Sequence, residues 1–180
     1  MKNLDFQAEL KKIMEDKRLV EIYFHRASSF GVCYIISVNV EYITLAIIGH
    51  NEVYLGVAIF PMSEVESIAI DTTYLKSLEK LLADNSLYKK ALNDVKDIEE
   101  FTFDGFISSI EEIGTYAELH LEDERMFVKI VNYNDDILAV DEYADNRKGI
   151  IAHTYYKRAD IVRMVFKTPS LRMVEIAQTV

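Results

Sequence analysis

Apolar residues between Leu4 and Asp16 fall at Phe6, Leu10, Ile13 and Met14, the spacing of one helical face, with Asn3 placed as N-cap. A helix is predicted there. From Leu19 to Phe24 the period changes to two, with Val20, Ile22 and Phe24 on one side and Glu21 and Tyr23 on the other, as in a half-buried strand. Four further β-branched and aromatic runs follow: Val32 to Val40, Glu41 to Ile48, Val53 to Phe60 and Val65 to Ile70. They are separated by Ala27-Ser28-Ser29, a short polar turn, Gly49-His50-Asn51 and Pro61-Met62-Ser63. Five short, closely spaced strands predict a small barrel rather than βαβ units. Thr72 or Thr73 then caps a helix with Leu75, Leu78, Leu81 and Leu82 inward, and Asp84-Asn85-Ser86 breaks it before a further helical turn over Leu87 to Leu92.

Beyond this joint the order starts again. Phe106, Ile110 and Ile113 repeat the spacing of Phe6, Leu10 and Ile13, with Gly114 placed as the left-handed C-terminal residue. Ala117, Leu119 and Leu121 match Val20, Ile22 and Phe24. Phe127 to Asn134 aligns with Val32 to Asn39, and Ile150 to Phe166 overlays Tyr54 to Ile70, pairing Thr168 with Thr72. A repeat this long is a whole-domain duplication, not a solenoid unit. The expected fold is mainly β with helices (α+β): two tandem five-stranded barrels, each preceded by a helix, with domains at 1–92 and 93–180.

The order of helix, strand, Gly-led long strand, short turn, two strands, one-turn break and strand resembles the Sm-like, SH3-type barrel of Sm, LSm and Hfq proteins. Val20 to Phe24, Gly31 to Asn39, Glu41 to Leu45 and Ala58 to Ile68 carry the resemblance. It implies that Gly31 lets a long strand bend, and that Asn39 and its counterpart Asn134 hold the following turn. It also implies association by edge-strand pairing, with Val53, Leu55, Val57 and Ile59 as the candidate oligomer edge. Hfq-like proteins place a Tyr-Lys-His turn at the strand break. The aligned triplets here are Phe60-Pro61-Met62 and Tyr156-Lys157-Arg158, so Tyr156, Lys157 and Arg158 are the candidate ligand-binding residues.

Composition narrows the function. The chain carries 20 basic and 30 acidic residues, a net charge of −10, and residues 91–180 hold 10 basic against 18 acidic. That field repels nucleic-acid backbones at long range and favours a protein partner. The N-terminus lacks the basic-then-apolar order of a signal peptide, and no apolar run approaches the roughly 20 residues of a spanning helix. The lone Cys33 cannot form an internal disulfide. The expected location is the cytoplasm. His25, His50, His120 and His153 have no metal-ligand spacing, Asp135-Asp136 and Asp141-Glu142 fall at predicted hairpins, and no nucleophile motif or phosphate loop is present. No catalytic, metal or cofactor site is expected. The sequence therefore predicts a non-enzymatic interaction module that binds a protein partner or self-associates through barrel edges. RNA or ribonucleotide binding at Tyr156 to Arg158, and inhibition of a basic toxin as an immunity protein, stand as alternatives.

Overall fold

The computed structural model describes residues 5–25, 30–49, 53–82, 86–122, 124–144 and 147–179. The chain divides into two compact units, Met1–Lys96 and Asp97–Val180. Ala27 to Ser29, His50, Asn51, Asp84, Asn85 and the expected N-cap Asn3 lie outside the described residues. The cap of the first helix is Asp5, whose carboxylate accepts from the Gln7 and Ala8 amides.

In unit 1, α1 (Phe6–Glu15) precedes β1 (Leu19–Phe24), β2 (Gly31–Val38), β3 (Tyr42–Ile48) and β4 (Tyr54–Pro61). A one-turn 3-10 helix (Met62–Glu64) leads into β5 (Val65–Ala69), and α2 (Thr73–Leu81) and α3 (Ser86–Asp94) follow. Every ladder of the unit is antiparallel, in the order β5-β1-β2-β3-β4. No ladder joins β4 to β5 among the described residues, so the unit is an open sheet with helices. The 3-10 turn carries the chain away from β4, and β5 pairs with β1 instead.

Both faces of this sheet are buried, which explains its nearly continuous apolar strands. Val20, Ile22, Cys33, Ile35, Leu45 and Ala58 share one face by register, and Phe24 stacks on Phe60 at 4.4 Å. The other face carries Leu19, Glu21, Tyr34, Ala46 and Val57, and α3 covers it where Tyr88 meets Tyr34 edge-on at 5.4 Å. Glu21, on the side of β1 read as solvent-facing, is 5% exposed. Alternation fails there because α2 and α3 lie on that face. Leu81 of α2 is 63% exposed; only Leu75 and Leu78 of that helix are buried.

Unit 2 repeats the plan with α4 (Phe103–Ile113), β6 (Ala117–His120), β7 (Arg125–Tyr133), β8 (Ile137–Ala144) and β9 (Arg147–Lys157). A second 3-10 turn (Arg158–Asp160), β10 (Arg163–Phe166) and α5 (Pro169–Thr179) complete it, in the strand order β10-β6-β7-β8-β9. Gly114 ends α4 in the left-handed region at φ 67°, and Ile113 before it is exposed. The helix α5 goes unpredicted from the pattern. Its signal is Thr168-Pro169, an N-cap followed by a proline whose missing amide has no helical partner to lose. Among the described residues no helix is long and apolar enough to cross a membrane.

The turn asparagines act alike in both units. Asn39 Oδ1 accepts from the amides of Glu41 (2.9 Å) and Tyr42 (2.7 Å), and Asn134 Oδ1 from those of Asp136 (2.9 Å) and Ile137 (2.8 Å). Gly31 behaves differently from expectation. A Cβ built on it would meet Ile22 at 3.5 Å, an ordinary contact. The irregularity of β2 lies instead at the register shift between Ile35 and Ser37, repeated in β7 between Ile130 and Asn132. Met126 accordingly replaces the glycine in the second copy without loss of the strand. The glycine that packing does require is Gly105, where a Cβ would stand 2.2 Å from the Glu100 carbonyl oxygen.

Gly105→Ala is therefore expected to destabilise the chain by about 1–3 kcal/mol, whereas Gly31→Ala should be neutral or stabilise by up to about 1 kcal/mol. Urea denaturation of the two variants measures both.

Candidate functional site

The polar groups of the molecule gather where the last strand of each unit hands over to the next helix. In unit 1 the Thr72 hydroxyl caps α2 by accepting from the Leu75 amide at 3.1 Å and donates to the Glu21 carboxylate. Tyr23 also donates to Glu21, at 3.1 Å. In unit 2 Thr168 caps α5 by accepting from the Leu171 amide at 3.1 Å and donates to Glu118 Oε1 at 2.5 Å. Asp71 and Lys167, the residues before these caps, both have φ 59°. A buried carboxylate on the first strand thus seats the helix after the last strand, twice. The Thr72–Thr168 pairing is legible in the sequence; the partnership with Glu21 and Glu118 is not, because it joins positions about fifty residues apart.

Around this shared device the two units differ. Beside Glu21 stand Tyr23 and Phe30, with ring centroids 5.6 Å apart, and Phe30 meets Tyr74 at 5.8 Å. Beside Glu118 the rung that crosses β10, β6 and β7 holds Arg163, His120 and Arg125. His120 Nε2 lies 3.4 Å from Glu118 Oε2, Arg125 Nη1 lies 3.9 Å from the same oxygen, and Arg163 Nη2 lies 3.3 Å from His120 Nδ1. Burial alone would push the Glu118 carboxyl up; hydrogen bonds from His120 and Thr168 and the charge of Arg125 outweigh it and hold the group below its usual range. Glu118 is the charged anchor of the corner.

A second polar line crosses the outer face of β7, β8 and β9. Lys129, Asp141 and His153 are in register, His153 Nδ1 lies 2.6 Å from Asp141 Oδ1, and Lys129 sits over the Tyr116 ring at 4.6 Å. Tyr116 in turn meets Tyr143 edge-on at 5.0 Å. The repeat aligns these three positions with Tyr34, Ala46 and Val57, the apolar face that α3 covers in unit 1. Toward the end of β9, Ile151 is 48% and Tyr155 75% exposed.

The candidate ligand-binding turn is largely committed to the fold. The Tyr156 hydroxyl donates to Glu142 at 2.6 Å, and burial together with that bond pushes it up to about 12. Arg158 donates to the Asn134 carbonyl at 2.9 Å and pairs with Asp104 at 2.5 Å. Lys157 is exposed, and among the described residues its side chain makes no hydrogen bond or ion pair. The structure therefore does not assemble the triplet into one open basic and aromatic surface. Of the candidate oligomer edge, Val57 and Ile59 are fully buried, while Val53 and Leu55 are partly exposed. A register shift beside Gly56, at φ 108°, separates them from the buried pair. Cys33 is buried, and burial pushes its thiol up, so it is an unreactive core group. Among the described residues no three His, Cys, Asp or Glu side chains form a metal-binding group.

Comparison with protein-family models, with curated proteins and with solved structures gave no match.

Thr72→Val and Thr168→Val remove the cap hydroxyl and leave a buried carboxylate with one donor fewer. Each is expected to destabilise its unit by about 1–3 kcal/mol, read as loss of amide-exchange protection concentrated in α2 or α5. Lys157→Ala, at a solvated side chain, should change stability by less than about 0.5 kcal/mol.

Proposed function

We propose that the chain is a non-enzymatic interaction module of two Sm-like units, which works by adding strands at its sheet edges to a second copy of itself. The element order in each unit supports the Sm-like reading: helix, strand, long strand, two strands, one-turn 3-10 helix, strand. The observation that carries the interaction reading is β9. It is an eleven-residue strand that pairs only with β8 among the described residues, leaving its other backbone edge without a strand partner beyond the Arg147–Gly149 start that Gln178 holds. Ile150, Ile151 and Tyr155 are exposed along it.

Charge points to the occupant. Although unit 2 is acidic, β9 is tipped with Arg147 and Lys148 at one end and Lys157 at the other, all exposed. In unit 1, β5 pairs only with β1 among the described residues; it is bordered by Glu64 and carries exposed Glu66. An acidic β5 edge of one copy and a basic-tipped β9 edge of the next are complementary, so association is head-to-tail and salt-sensitive.

Sedimentation of the full chain should show concentration-dependent association. It should weaken at about 1 M salt, where the screening length falls to about 3 Å. Ile151→Glu with Tyr155→Glu, both at exposed positions, should lower the association constant at least about tenfold while the far-UV spectrum stays unchanged. A wild-type chain that remains monomeric at every concentration overturns the proposal.

A further inference from the structure

The chemistry of the corner around His120 sets the second copy apart from the first. At the positions of Tyr23, Phe30 and Ser67 stand His120, Arg125 and Arg163, so an aromatic corner has become one of two guanidiniums, an imidazole and a single carboxylate.

We propose that this corner is an acid-sensitive latch: neutral His120 ties β10 to β6 through Arg163, and protonation of its Nδ1 breaks that tie and loosens the seat of α5. The geometry fixes the proton. An arginine can only donate, so the 3.3 Å contact from Arg163 Nη2 requires a lone pair on Nδ1. The remaining proton then sits on Nε2 and donates to Glu118. A second proton would set an N–H of the imidazolium against an N–H of the guanidinium, replacing an attraction by a like-charge contact.

The charged groups facing His120 are Glu118 from its own strand, Arg125 from β7 and Arg163 from β10, with the Thr168 hydroxyl at the start of α5 bound to the same carboxylate. Burial, with Arg163 and Arg125 adding to it, outweighs the pull of Glu118 and holds the imidazole below its usual value. The unfolded chain therefore takes the proton first. The corner's contribution to stability is complete above the ordinary histidine value near about 6.5 and is lost as pH falls from there through the folded value.

The consequence reaches β9. Gln178 near the end of α5 accepts from the Gly149 amide at 2.6 Å and donates to the Arg147 carbonyl at 2.9 Å, so α5 holds the start of that strand. This last link, from latch to binding edge, rests on the function proposed above; the latch itself does not.

His120→Tyr installs the residue that unit 1 carries beside its own buried glutamate. Between about pH 7.5 and about pH 5 the melting temperature of the wild type should fall further than that of the variant, which lacks the displaced titration. Nitrogen-15 spectra of the wild type at neutral pH should show His120 with an unprotonated Nδ1 and a protonated Nε2, titrating below the ordinary histidine value. Superimposable melting profiles, or a proton on Nδ1 at neutral pH, overturn the latch. The spectra decide even if the variant fails to fold, and neither readout depends on whether the chain self-associates.

Discussion

A carboxylate buried on the first strand of each sheet accepts the hydroxyl proton of the threonine that caps the helix after the last strand. That bond joins three elements far apart in the chain. The threonine lies just after the last strand, the glutamate lies on the first, and the helix starts on a lone pair of the same hydroxyl, which accepts from the Leu75 or Leu171 amide. A buried carboxylate with too few donors is costly, so each glutamate constrains its surroundings to supply them. Thr72 and Tyr23 do so in unit 1; Thr168, His120 and Arg125 do so in unit 2. The residue before each cap, Asp71 in unit 1 and Lys167 in unit 2, has left-handed backbone.

Duplication preserved this joint and released its neighbours. Where aromatic rings fill the corner in unit 1, charges fill it in unit 2. Where α3 lies over Tyr34, the matching Lys129, Asp141 and His153 form a charged line. One plan thus yields a unit with both sheet faces buried and a unit with an exposed, mixed face bounded by β9. The proposed binding edge and the proposed latch both belong to the second unit, and α5 connects them mechanically through Gln178.

The apolar period made α1, α4 and most strand positions legible, and the repeat made the correspondence of the two units legible before any coordinates. Gly114 and the two turn asparagines were readable too, since a left-handed helix end and an Asx turn are local demands. Legibility ended where a residue's role depends on a distant partner. Glu21 reads as solvent-facing by alternation, yet it is buried because α2 and α3 lie on its face of the sheet. Tyr156 and Arg158 read as a ligand-binding turn, yet Glu142, Asp104 and the Asn134 carbonyl already engage them. Gly31 reads as a bend, yet a Cβ there would meet only ordinary contacts, and the register shift of β2 lies between Ile35 and Ser37.

The sequence by itself determined the elements, their order and their duplication, because backbone periodicity, capping and turn chemistry act over a few residues. Only the tertiary structure decided which polar groups are buried, which strands stand at an edge and which of the two corners carries charge. Those properties arise from long-range ladders and packing, whose partners a local pattern does not specify.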